Sequence, residues 1–299
     1  MASTTSLEPP QPVEPAPLAP ARGYWGPVFA RLRRDPVALV AGLILLALLL
    51  TALLAPWLAP MDPYQTSMLN RLQPIGTPGH WLGTDELGRD MLSRLIHGAR
   101  LSLLIGVMPV INAFVIGGAI GIVAGFIGGR TNTVIMRVID VFYAFPAVLL
   151  AIALAGALGA GIVNSLFSLT VVFIPPITRV AESVTTQVRN VDYIEAARAS
   201  GAGSLTIIQR HVLGNVLGPI FVYATSLISV SMILASGLSF LGLGARPPLP
   251  EWGLMLNTLR DAIYVIPWVT ILPGVMIFTV SICFNMLSDG LRSAMDVKL

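Results

Sequence analysis

Lysine is almost missing from this sequence. Lys298, one residue from the end, is the only one in 299 residues. A phosphate-binding P-loop needs Gly-Lys-Ser/Thr at the start of a helix, so this chain carries none. If ATP energy is used, another chain must bind the ATP. Cysteine is as scarce: Cys283 lies alone in an apolar run, with no intramolecular disulfide partner and no ligand cluster around it. It reads as a small core hydrophobe. Charge is also thin, with 11% Asp, Glu, Lys and Arg against 55% hydrophobic residues. Soluble domains carry about 25% charged residues, so the composition is that of an all-α integral membrane protein. The net charge of +3 comes from scattered arginines bordering apolar runs, which is no nucleic-acid footprint.

Long apolar runs are what the sequence has in abundance. A bilayer core of about 30 Å takes about 20 helical residues. Uncharged runs at 37–61 and 101–129 hold one span each. The run 141–178 is too long for one helix and holds two, with "GALGAG" at 156–161 as the turn. Runs at 212–245 and 262–288 bring the total to six transmembrane helices. Residues 1–35 carry six prolines between Pro9 and Pro20 and read as a disordered tail, not a signal peptide. The remainder divides into 36–99, the first span with an extracytoplasmic segment, and 100–299, a five-helix core.

Six spans put both termini on one side. With the N-terminus inside, the outer segments carry only Arg71, Arg89, Arg94, Arg100, Arg246 and Arg260 of the 18 basic residues. The positive-inside rule then favours N-in, C-in. Residues 1–35 and the segment between spans four and five are cytoplasmic on this reading.

Outside the spans, "DELGRDMLSRLIH" at 85–97 places Leu87, Met91, Leu92, Leu95 and Ile96 on one stripe, with Asp90 and Arg94 as an i,i+4 pair. It reads as a short helix lying on the outer leaflet or packed on the protein's own loops. Gly117, Gly121, Gly125 and Gly129 recur every fourth residue in span two, a pattern that lets helices approach closely, within the chain or across chains. The spans are nearly free of charge, which argues against a proton- or sodium-coupled transporter. Asp140 is the nearest exception, with Arg137 one turn away as a partner. Ser239 has no histidine at membrane depth to activate it, since His80, His97 and His211 lie in loops or at span ends.

One cytoplasmic stretch, "DYIEAARASGAG" at 192–203, reads as a short helix with marked ends. Asp192 is a good N-cap, Glu195 completes a capping box, Arg198 suits the C-terminal dipole and Gly201 can close the helix. Ala196 and Ala197 leave room for a neighbour. The helix either docks in another protein's groove or turns the chain at the membrane surface.

"EAARASG" followed by "IIQRHVLGN" resembles the EAA loop, here about 190–215, of permease subunits from ATP-binding-cassette importers. Glu195, Ala196, Ala197, Gly201 and Leu213 match that pattern. His211 stands where the family has an apolar residue, and Gly214 where it has proline. "LGTDELGRDMLSRLIHGARLSL" at 82–103, "GLGARPPLPEWG" at 242–253 and "LSDGLRSAMDVKL" at the C-terminus are similar to the dipeptide, oligopeptide and nickel subfamily, specifically its C-type subunit.

The resemblance implies a multi-pass protein of the bacterial inner membrane that forms a pore with a sister permease. Asp192, Tyr193, Glu195, Ala196, Ala197, Arg198 and Gly201 would be the coupling contact to one or two ATPase subunits. ATP and Mg would belong to those partners, with no cofactor or metal in this chain. An extracytoplasmic binding protein would deliver the solute, and Asp85, Arg89, Asp90 and Trp252 are candidates for its contact or for a plug over the pore. The solute would be a di- or oligopeptide, with nickel or haem as the alternative within the family and a stand-alone channel outside it. Met232, Met255 and Met276 could serve nickel or pack in the core.

Overall fold

The computed structural model describes residues 25–295. Among these the regular elements are helices: α1 Trp25–Leu32, α2 Pro36–Leu53, α3 Ala55–Leu58, α4 Met91–Ile127, α5 Gly129–Tyr143, α6 Ala147–Leu158, α7 Ile162–Arg189, α8 Asp192–Ala199, α9 Ser204–Ile207, α10 Leu213–Phe240, α11 Trp252–Thr258 and α12 Pro267–Met295. Five helical stretches are long and apolar enough to cross a membrane: α2, α4, α7, Ser204–Phe240 and α12. The pair α5–α6 adds a sixth if it counts as one span, because the two meet at a bend of 85°. Phe145-Pro146 explains the bend, since a residue before proline leaves the helical region and Pro146 itself is extended.

Several expectations need correction, the first of them the extent of the tail. The tail was expected to run unstructured to residue 35. Residues 1–24 lie outside the described residues, but Trp25–Leu32 is a helix packed on α12. Asp35 then caps α2, accepting from the backbone N–H groups of Val37 and Ala38 at 3.0 and 3.2 Å, with Pro36 at the first helical position.

The second correction concerns 85–97. No separate helix lies there: residues 85–90 form a turn, and one helix of 37 residues runs from Met91 to Ile127. Asp90 is its N-cap, its Oδ2 accepting from Ser93 N at 2.8 Å, so it is not the partner of Arg94. The third concerns Asp140. Its partner is Arg179 on α7, through Oδ1 and Nη2, rather than Arg137 on its own helix.

The most extensive contact is α4 against α7, and glycine makes it. A methyl on Gly117 would sit 2.8 Å from the Ile174 carbonyl oxygen, one on Gly121 would collide with the Thr178 carbonyl, and one on Gly125 would sit 2.7 Å from the Glu182 carbonyl. The helices therefore run side by side in the same direction, backbone near backbone. Gly129 is not part of this seam. It lies beyond the end of α4, at φ +54°, where an added methyl would meet nothing within 4 Å. The turn between α6 and α7 falls at Gly159 and Gly161, both at positive φ, in the stretch read as a turn.

These contacts define two ends of the bundle. At one, the α3–α4 segment (59–90) meets α11 and the α10–α12 connection. At the other gather α1, the start of α2, the ends of α4, α7 and α12, and α8. Gly290 of α12 packs on Ala38 of α2, and Arg189 Nη1 donates to the Gly125 carbonyl at 3.1 Å. The described start and end of the chain thus share one end with α8.

Candidate functional site

The helix α8 follows directly on α7. Its N-cap is Val191, extended at φ −86°, ψ 143°, with no side-chain hydrogen bond. The expected capping box of Asp192 and Glu195 does not form, because Asp192 is already the first helical residue. Both carboxylates still lie in the first turn, where the helix dipole favours them. The C-terminal expectation matches the geometry. Gly201 sits at φ +80°, its N–H donates to the Arg198 carbonyl at 2.9 Å, and the Ala202 N–H donates to the Ala197 carbonyl at 3.1 Å. This is a Schellman closure, which needs the left-handed residue that glycine supplies.

A single side chain anchors the helix. Ile194 is fully buried in the bundle core, and Ala197 is half-buried beside it. Sequence reading missed Ile194, because one apolar residue sets no periodicity. Arg198 lies over the Phe126 ring at 5.4 Å, on the last turn of α4. Asp192, Tyr193, Glu195, Ala196 and Arg198 are exposed. The Tyr193 hydroxyl accepts from Asn215 Nδ2 at 3.0 Å, and its ring centroid is 6.3 Å from that of His211. His211, one of the two departures from the family pattern, therefore supports the tyrosine. It lies in a π turn, Ile208–Val212, that carries α9 into α10 without a break. The helix thus exits without a proline at position 214.

At the opposite end the four candidates for a partner contact are buried, none more than 3% exposed. Asp85 is the hub. Its Oδ1 accepts from the backbone N–H groups of Leu87 and Arg89, each at 2.9 Å, and its Oδ2 accepts from Arg89 Nε at 2.6 Å. Arg94 Nε lies 3.2 Å from the same oxygen, and Arg94 Nη1 donates to the Pro63 carbonyl at 3.1 Å. Asp90 Oδ1 lies 3.1 Å from His80 Nδ1. Such charges stay buried only when paired and hydrogen-bonded.

Trp252 is locked from the other side. Its indole N–H donates to the Leu95 carbonyl at 3.1 Å, and its ring lies against Gly98. Glu251 caps α11, accepting from Gly253 N at 2.9 Å and Leu254 N at 2.8 Å, and accepts from Ser102 Oγ of α4 at 3.2 Å. Burial pushes the Glu251 carboxyl above the usual carboxylate range, opposed by those N–H groups. These side chains hold the segment together. The surface around them is made by other residues, among them Leu69 and Trp81, both exposed. Met232 and Met255 are buried in the core.

A bundle with a seam of glycines, one tethered helix at one end and a pinned segment at the other has known relatives. Residues 117–297 match the family described as binding-protein-dependent transport system inner membrane component. Residues 23–74 match the N-terminal transmembrane domain of oligopeptide transport permease C. The chain belongs to this family of importer permeases.

The permease is 41% identical to the glutathione transport system permease protein GsiD of Pectobacterium atrosepticum, over 93% of this chain and 92% of the relative. It is 39% identical to the dipeptide transport system permease protein DppC of Alkalihalophilus pseudofirmus, over 97% and 96%. A di/tripeptide transport system permease protein DppC from Pseudomonas aeruginosa is 41% identical over 97% and 95%. Its fold is shared with a solved structure of the MetNI methionine ABC transporter, at TM-score 0.54 and 18% identity, covering 67% of this chain and 97% of that one. The permease is accordingly a non-catalytic, multi-pass subunit of an ATP-binding-cassette importer in the inner membrane.

Proposed function

We propose that this permease pairs with a sister permease to form the pore for di- and oligopeptides, driven by separate ATPase subunits that hold the ATP and Mg. The α8 end of the bundle faces the cytoplasm, with six spans in the membrane and both termini inside, as the arginine distribution favours. Asp192, Tyr193, Glu195, Ala196, Ala197, Arg198 and Gly201 form the coupling helix that seats in an ATPase cleft. The opposite end receives an extracytoplasmic binding protein on the exposed residues around the buried Asp85, Arg89, Asp90 and Trp252. Peptide is the solute class because the relatives are named for dipeptides, di/tripeptides and glutathione, itself a tripeptide.

The observation that carries this reading is the attachment of α8. One buried residue, Ile194, ties it to the core, while its remaining polar face is exposed. A helix of eight residues is marginal alone, so a docking partner is its natural complement. Movement imposed on α8 passes to α4 through Arg198 and Phe126 and to α10 through Tyr193 and Asn215. Glu195→Lys tests it. Peptide uptake should be lost while membrane insertion and sister pairing persist. Wild-type uptake by this variant would remove the coupling assignment.

A further inference from the structure

The pair of Asp140 and Arg179 is not explained by the coupling helix or the opposite end. Arg179 lies ten residues before Arg189, the end of α7, so roughly 15 Å inside the bundle at 1.5 Å per residue. Asp140 lies in the last turn of α5, beside the 85° bend. The two side chains are 46% and 44% exposed. The surface around them is uncovered and apolar: Val138, Val141, Phe142 and Tyr143 are all exposed. Charges at membrane depth face a water-filled path or a partner rather than lipid.

A concave recess adjoins the pair. It measures about 320 Å³ and is lined by Tyr143, Phe145, Pro175, Pro176, Tyr223 and Leu227, among others. Tyr143 belongs to both features, because the Arg179 guanidinium lies 4.6 Å over its ring. Pro175 and Pro176 lack N–H groups and so leave the carbonyls of Val171 and Val172 without their helical donors. Ligand sites are concave and mostly apolar, with a few placed polar groups, from about 300 Å³ upward. This recess has that character.

We infer that the recess and the Asp140–Arg179 pair form a transit subsite for a small zwitterionic peptide. This rests on the peptide reading above. Arg179 takes the C-terminal carboxylate with its planar fork. Asp140 takes the N-terminal ammonium, and the tyrosine and proline faces of the adjoining recess pack the peptide's side chains. With no peptide present the two side chains neutralise each other. With a peptide present each exchanges its partner for a ligand charge of the same sign. In either state each charge keeps an opposite charge beside it, as a charge at membrane depth requires.

The test uses the complete importer in proteoliposomes: this chain, its sister permease, the ATPases and the binding protein, with radiolabelled dialanine and trialanine as probes. Uptake and ATP hydrolysis are measured together for wild type, Arg179→Gln, Arg179→Lys and Tyr143→Ala, which removes the ring face shared by the pair and the recess, after co-purification confirms assembly. The peptide moved per ATP should fall at least about tenfold in Arg179→Gln, the loss expected for a charge-assisted contact. Arg179→Lys keeps the charge but not the fork and should fall less, yet measurably, below wild type. If Arg179→Gln does not assemble, Arg179→Lys and Tyr143→Ala carry the same comparison, each with a ratio below wild type. An unchanged ratio in the variants, or a wild-type ratio in Arg179→Lys with loss only in Arg179→Gln, would overturn the subsite and leave the pair as a subunit contact. A wild-type importer that hydrolyses ATP but moves neither peptide would overturn the peptide reading itself.

Discussion

The guanidinium of Arg198 lies 5.4 Å over the ring of Phe126, so the last turn of α8 rests on the last turn of α4. Beneath it, Ile194 enters the core. An exposed cation–π contact is worth about 0.5–1 kcal/mol, while deleting a buried isoleucine to alanine costs about 2–5 kcal/mol. Ile194→Ala should therefore release α8 far more than Arg198→Ala. Hydrogen exchange of the 192–199 amides measures this, with strong deprotection in the first variant and little change in the second.

Gly201 closes α8 at φ +80°. Aspartate there is strained by about 1 kcal/mol or more. Gly201→Asp should abolish uptake while leaving insertion intact, because only the end of α8 is altered. Uptake at the wild-type rate would contradict the coupling role.

The glycine seam makes a sharper prediction. Gly121→Ala would drive a methyl into the Thr178 carbonyl, whereas nothing lies within 4 Å of a methyl on Gly118. Overpacking costs about 1–3 kcal/mol, while alanine for glycine in an open helical site gains about 0.5–1 kcal/mol. The thermal midpoint should fall for Gly121→Ala and hold or rise for Gly118→Ala.

Much of this was legible in the sequence, and the misses have physical reasons. The apolar runs located five of the spans, because bilayer thickness fixes their length, while the run 141–178 did not show the bent pair α5–α6 that begins at Gly129. Gly117, Gly121 and Gly125 were legible as a packing face because spacing alone puts them on one side. Residues 85–97 were misread because Leu87 shares helical spacing with Met91, Leu92, Leu95 and Ile96, although the helix begins only at Met91 and the charges before it are held in a turn by pairing with one another. The same pairing buries Asp85 and Arg89, two of the residues chosen as partner contacts. The Asp140–Arg179 pair joins positions 39 apart, and no local pattern signals a contact of that separation. Asp192 was one residue off because the cap is decided by backbone angles at Val191, which composition does not reveal.

Glu251 gives a pH prediction. Its carboxyl holds its proton more tightly folded than unfolded, because burial raises it. Stability contributed by the protonated form is therefore lost as pH rises from the ordinary carboxylate pKa, about 4.3, through the raised one. The thermal midpoint of the wild type should decline across that window relative to Glu251→Gln, which has no proton to lose. Parallel profiles would contradict the burial effect.

Trp252 separates a structural role from a docking role. It is fully buried with its N–H bonded to Leu95, and tryptophan-to-alanine in a core costs about 3–5 kcal/mol. Trp252→Ala should lower the thermal midpoint of the purified permease with no binding protein present. An unchanged midpoint would return it to the list of partner contacts.

The central claim is that this chain works only as one subunit of a peptide importer coupled through α8. Purification of the tagged permease from membranes in mild detergent, with mass spectrometry of what accompanies it, tests that most directly. The account predicts a sister permease and P-loop ATPases in the wild-type sample, with the ATPases depleted from the Glu195→Lys sample. A chain that emerges alone and conducts in planar bilayers would contradict it.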